Sequence, residues 1–112
     1  MKLDTREVNN IPVVDFQGHL DTNTSFEAEQ YLKELIEQGN TRIIVNFDKL
    51  EFISSSGLRI LLVTAKQLRA SEGDLRICNL NETVQEVFDI SGFSTILSVF
   101  LAEEQALDGF CD

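Results

Sequence analysis

The chain has no tryptophan and only one proline, one methionine, one tyrosine and one histidine among its 112 residues. Its two cysteines, Cys78 and Cys111, stand far apart with no C-x-x-C pair, and His19 is the single imidazole. No metal site or redox motif can be assembled from that set, so neither a metal nor a cofactor is expected. Two unpaired thiols agree with a reducing compartment, and Cys78, inside a strand-like run, reads as a small buried hydrophobe. Basic residues are also scarce: nine Lys and Arg against nineteen Asp and Glu leave a net charge of −10. That field repels phosphate backbones, and Arg59, Lys66 and Arg69 on one predicted helix make a poor nucleic-acid site within it. No apolar run approaches the roughly 20 residues a membrane span needs. The segment Met1 to Glu7 lacks the apolar stretch of a signal peptide. The expectation is a cytoplasmic protein with neither a nucleic-acid nor a membrane partner. No G-x-x-x-x-G-K-(S/T) loop or G-x-S-x-G elbow is present, and one histidine is a poor basis for acyl transfer.

What the chain does have is a 43% hydrophobic composition with phenylalanine as nearly its whole aromatic content. A chain of this length buries roughly two-thirds of its unfolded surface, enough for one core without staples. A single domain over residues 1–112 is expected. Residues 3–8 and 11–17 read as two strands joined at Asn9-Asn10, a dipeptide suited to a tight turn. Pro12 fits an edge position or a strand beginning. A polar loop from His19 to Asn23 leads to Thr24, which with Glu27 has the spacing of a capping box. Ala28, Tyr31, Leu32, Leu35 and Ile36 recur at helical spacing, and Gly39 ends the helix. Arg42 to Phe47 reads as a buried strand.

A second helix carries Leu58, Leu61, Leu62, Ala65 and Leu68 and ends near Glu72-Gly73. Leu75 to Cys78 reads as a strand, and Asn81 caps a third helix with Val84, Val87, Phe88 and Ile90, broken at Ser91-Gly92. Thr95 to Phe100 reads as a last strand and Ala102 to Leu107 as a short helix. The order is β-β-α-β-α-β-α-β-α. Alternation after the first hairpin predicts parallel strands with right-handed helical crossovers, hence an α/β or mixed α+β domain.

Ser54-Ser55-Ser56-Gly57 carries the most information, because an apolar pair enters this polar turn and an apolar helix leaves it. Serine is a preferred N-cap, so a cap accounts for one hydroxyl; Ser55→Ala would then cost about 0.5–2 kcal/mol if Ser55 were that cap. A helix N-terminus also presents free N–H groups and a partial positive charge, which favour a phosphate. A surface serine here could accept a phosphoryl group, gaining about −1.5 to −2 charge, and so spoil a docking surface.

Three segments in order carry a resemblance over almost the full length. Gly18-His19-Leu20-Asp21 is similar to a G-x-L-D motif. Leu50-Glu51-Phe52-Ile53-Ser54-Ser55-Ser56-Gly57-Leu58 resembles L-x-F-I-D-S-S-G-L. The run from Asn81 to Phe88, followed by Ser91-Gly92-Phe93, resembles a later N-x-x-V helix ending in glycine and an apolar residue. These are motifs of STAS domains of the anti-sigma factor antagonist family. The resemblance implies a mixed sheet with helices mainly on one face, and a non-enzymatic role. The free family protein binds an anti-sigma factor that is also a serine kinase of the histidine-kinase-like ATPase fold, which releases the sigma factor. Phosphorylation ends the binding and a serine phosphatase resets it.

Aligned residue by residue, the resemblance makes Ser55 the phosphoacceptor, ahead of its neighbours Ser54 and Ser56. Gly57 matches the family's glycine, and Asp21 with Asn23 matches the loop beside the acceptor. Arg59, on the same helix, joins the expected partner-binding set of Asp21, Asn23, Ser54, Ser55, Ser56 and Gly57. The chain departs from the motif at Ser54, where the family has an aspartate; neutral serine supplies neither its charge nor its reach. A constitutive STAS scaffold without regulated phosphorylation is therefore the alternative reading. A receiver-like domain with Asp48 as acceptor fits less well. Asp15 is isolated within its strand, no lysine follows the last strand, and Asp48-Lys49 reads as a solvated turn.

Overall fold

The computed structural model describes residues 1–110. Strand β1 (Lys2–Val8) and strand β2 (Ile11–Leu20) form an antiparallel hairpin. Asn9 and Asn10 both take positive φ, 54° and 67°, the paired left-handed conformation that a two-residue hairpin turn requires. Helix α1 (Ser25–Glu37), strand β3 (Arg42–Ile53), helix α2 (Ser55–Ala70) and strand β4 (Asp74–Cys78) follow. Helix α3 (Glu82–Ser91), strand β5 (Ser98–Phe100) and helix α4 (Glu103–Leu107) complete the order. The sheet runs β1-β2-β3-β4-β5, and every pairing after the hairpin is parallel. This is the expected mixed α/β sheet.

The strand alternation sorts the core into two layers. Val14, Phe16, Ile43, Val45, Phe47 and Ile77 face α1, α2 and α3, whereas Ile11, Val13, Ile44 and Cys78 face α4 and Phe110. Helix α4 is short and is held by polar ties. Arg76 donates to the carbonyls of Ala106 (2.8 Å) and Asp108 (2.9 Å). Its guanidinium lies between the rings of Phe100 and Phe110, 5.0 and 4.2 Å from their centroids. Arg6 joins the two chain ends by pairing with Asp15 and Glu103, and Asn46 Nδ2 donates to Glu103 Oε1 at 2.8 Å. Arg6, then Asn46, hold the Glu103 carboxyl below its ordinary value against the opposing effect of burial.

The structure corrects the expected boundaries at four places, and the first two decide where the serine cluster sits. Strand β2 does not yield to a loop at His19 but continues to Leu20, and β3 does not turn at Asp48-Lys49 but continues to Ile53. The cause is a pair of bulges. Asn46 to Lys49 lies opposite Asp15 to Gln17, and Leu50 to Phe52 lies opposite Gly18 to His19. Each bulge adds one residue to β3, which bends and twists the strand without ending the pairing. Asn46 Oδ1 accepts from Asp48 N at 2.9 Å, supplying an acceptor within the bulge.

The third correction is at the start of α1. Thr24 is the N-cap by position but makes no side-chain cap bond, and its φ/ψ of −110°/−12° is not the extended geometry a capping box needs. Its hydroxyl instead donates to His19 O at 2.8 Å and accepts from Asp21 N at 2.9 Å. Fourth, the run from Thr95 to Phe100 is not all strand. Phe93–Thr95 forms a 3₁₀ turn after Gly92, whose φ is 81°, and only Ser98–Phe100 pairs with β4.

Candidate functional site

The bulges bring the ends of β2 and β3 level, with Leu20 opposite Ile53. Asp21 and Ser54 therefore leave the sheet side by side at its C-terminal edge. Ser54 N donates to Leu20 O at 2.9 Å, tying the two exits together. After β2 the chain makes a tight polar loop in which Asp21 Oδ1 accepts from Asn23 N (3.0 Å) and Thr24 N (3.2 Å). That oxygen shapes the loop. Asn23 is exposed beside it.

After β3 the chain turns into α2. Ser54 is the N-cap, extended at φ −101° and ψ 176°, and its carbonyl accepts from Leu58 N at 3.0 Å. Its side chain makes no cap bond: the Ser54 Oγ is buried and has no hydrogen-bond partner among the described residues. Ser55, the first helical residue, is exposed. Ser56 Oγ lies 3.2 Å from Thr22 Oγ1, a hydroxyl contact that links the two loops. Gly57 is buried for a steric reason. A Cβ there would lie 2.8 Å from both Ile53 Cγ1 and Leu20 Cγ and 3.0 Å from Leu20 O. Only glycine lets α2 sit this close to the strand ends.

The positive end of α2 is not offset by its own sequence. Its first turn holds no acidic residue, whereas those of α1, α3 and α4 do. The N–H groups of Ser55, Ser56 and Gly57 precede the first intrahelical bond, from Leu58 N to Ser54 O, and carry the partial positive charge of the helix end. Arg59, one turn on, is exposed and lines a shallow cleft of about 270 Å³ with Ser25, Phe26, Glu29, Ser56 and Ile60. Chemically, the arrangement presents the exposed Ser55 hydroxyl at the partially positive end of α2.

The sequence-predicted residues Asp21, Asn23, Ser54, Ser55, Ser56, Gly57 and Arg59 thus lie on two adjoining segments at one edge of the sheet. Within that group Asp21 Oδ1 also holds its own loop, and Gly57 is buried against Leu20 and Ile53. Ser55 is not the N-cap; Ser54 occupies that position. Sequence reasoning missed Thr22, and it missed two exposed aromatics that flank the cluster. Phe26 is 70% exposed on the first turn of α1 and Phe52 is 41% exposed near the end of β3. Phe26 falls off the apolar stripe that begins at Ala28, which was the available signal. Phe52 stands beside His19, their rings 6.3 Å apart, and His19 Nε2 is 3.0 Å from Glu51 Oε2.

A family model described as STAS domain matches residues 2–106. The chain belongs to the STAS domain family. This STAS chain is 36% identical over 110 residues to BtrV of Bordetella bronchiseptica, a candidate anti-sigma factor antagonist by name; the match covers 98% of the chain and 95% of BtrV. Among solved structures it is similar to the anti-sigma factor antagonist SpoIIAA in its unphosphorylated form (28% identity, TM-score 0.73, 96% of each chain). It is also similar to the Bacillus cell fate determinant SpoIIAA in the phosphorylated form (29% identity, TM-score 0.71, 96% of this chain and 97% of that one). The five-strand mixed sheet and its helix order are those of these STAS neighbours.

Proposed function

We propose that this STAS domain is an anti-sigma factor antagonist that works by partner switching, with Ser55 as the switch. The unphosphorylated form binds an anti-sigma factor that is also a serine kinase, and the sigma factor is released. Transfer of the ATP γ-phosphoryl group then forms the Ser55 Oγ–P bond and breaks the bond to ADP, the hydroxyl proton passing to a base of the kinase. The chain contributes the acceptor and the docking surface and is not itself an enzyme. A serine phosphatase restores the hydroxyl. The reading places the protein in the cytoplasm, with the whole chain acting as one domain.

One observation carries this reading: Ser55 stands exposed at the start of α2, on a rim shared with Asn23, Thr22 and Ser56. A phosphoryl group there adds about −1.5 to −2 charge to the middle of the surface a partner would cover. Two desolvated like charges or an unpaired one would follow on docking, which is costly enough to end binding. The named relatives add support, since one is an anti-sigma factor antagonist solved both with and without phosphorylation. A constitutive scaffold role draws on one feature, the neutral Ser54 where the family motif has an aspartate.

Intact-mass measurement after incubation with ATP and the cognate kinase separates the two. Gain of one phosphate that vanishes in Ser55→Ala supports the switch. No gain with a kinase that binds the protein leaves the scaffold reading. Ser55→Ala is a clean control, because an exposed residue without a cap bond should change stability by less than about 0.5 kcal/mol.

A further inference from the structure

We propose that Arg59 holds the phosphoryl group of phosphorylated Ser55 within the same chain, so that the modified domain is an internally paired state. The inference deepens the reading above and rests on Ser55 as acceptor. Ser55 and Arg59 are four residues apart on α2, the spacing that puts two side chains on one face with Cβ atoms about 5–6 Å apart. Side chains on a helix lean toward its N-terminus, a direction from which the long Arg59 stem can reach back to the turn that carries Ser55. The guanidinium is uncommitted: among the described residues Arg59 makes no ion pair or side-chain hydrogen bond. That is unusual company in a chain of net charge −10, and the next cation on α2, Lys66, is about two turns further on.

The charges around the position sharpen the argument. Glu29 of α1 lines the same cleft as Arg59, and Asp21 and the His19–Glu51 pair lie on the neighbouring strand ends. Among the described residues, the positive groups beside a dianionic phosphoryl group on this acidic rim are the free N–H groups of the first turn and Arg59. The planar fork of arginine suits two phosphoryl oxygens at once. Because the pair would be exposed, it would be screened by salt. Its consequence is regulatory. A phosphate already paired within its own chain offers less to a partner's cations, and a phosphatase must displace Arg59 before it can engage the group.

The test is made on the full chain with phosphoserine incorporated at position 55 during synthesis, which needs no kinase. Phosphorus NMR follows the second ionisation of the phosphoryl group in native, Arg59→Gln and Arg59→Lys proteins. The native protein should ionise at lower pH than Arg59→Gln, by roughly half a unit for an exposed pair. Arg59→Lys should fall between them, and the gap should narrow in about 1 M salt. Thermal melting of the unmodified variants checks that exposed Arg59 is not needed for folding. Superimposable titrations of native and Arg59→Gln would overturn the proposal, and so would a gap that persists unchanged in high salt. Since the phosphate is installed independently, either result leaves the kinase reading untouched, and failure of a kinase to modify Ser55 would leave the titration result standing.

Discussion

Replacing the N-cap residues Ser54 and Asn81 by alanine, one at a time, should give unequal results although each heads a helix. Asn81 Oδ1 accepts from Val84 N at 2.8 Å, and its Nδ2 donates to Leu50 O at 2.9 Å. Loss of the cap costs about 1 kcal/mol, and loss of the donor to a strand carbonyl adds about another. A combined loss of about 2 kcal/mol corresponds to roughly 8–16 °C in melting temperature for a domain near this size. Ser54 makes no cap bond, and its Oγ is buried without a partner. An unpaired buried hydroxyl is unfavourable by roughly 1–3 kcal/mol, part of which alanine would recover. Ser54→Ala should therefore melt at the native temperature or up to a few degrees above it. Calorimetric melting of both variants decides the matter. A fall for Ser54→Ala as large as that for Asn81→Ala would mean that the Ser54 hydroxyl caps α2, and the account of that helix start would be wrong.

Other outcomes follow from the same geometry. Gly57→Ala should destabilise the fold by about 1–3 kcal/mol through overpacking against Leu20 and Ile53, even though helix propensity alone predicts a gain of about 1 kcal/mol; a denaturant midpoint above native would refute the steric reading. Glu103 has a folded pKa held down chiefly by Arg6, so its contribution is present above the ordinary glutamate range and is lost as pH falls through the depressed value. Arg6→Met should flatten the loss of stability with acid over that interval, measured by urea melts across pH; an unchanged slope would contradict it. Burial pushes the Cys78 thiol up to about 12, so iodoacetamide at pH 8 should leave Cys78 unmodified in the native protein and label it after unfolding, as read by peptide mapping.

Much of the layout was legible in the chain because local chemistry and tertiary structure agree there. The Asn9-Asn10 turn, the Gly39 and Gly92 helix stops and the Asn81 cap each follow from one residue's conformational or hydrogen-bonding needs. The strand ends were not legible. Asp48-Lys49 is polar and looks like a turn, but both side chains are exposed on a strand that bulges, and a bulge leaves no periodic signal. The same blindness put His19-Leu20 in a loop, so the meeting of Leu20 with Ile53 could not be foreseen. Thr24 has the right spacing for a capping box, yet the Asp21 carboxylate reaches the loop N–H groups first. Ties such as Arg6 to Glu103 join opposite ends of the chain and have no local signature. At the candidate site, the serines and Arg59 were singled out as expected site residues. Thr22, Phe26 and Phe52 were not, because what matters about them is the surface they share with Ser55.

The central claim is that charge added at Ser55 abolishes docking while the fold stays intact. Titration calorimetry of the cognate anti-sigma factor with the unmodified domain and with the domain carrying phosphoserine at 55 tests it in one comparison. Measurable heat and saturation for the first, with affinity weakened at least tenfold for the second at equal melting temperature, is the predicted outcome; tenfold corresponds to about 1.4 kcal/mol. Equal affinity for the two forms would contradict it.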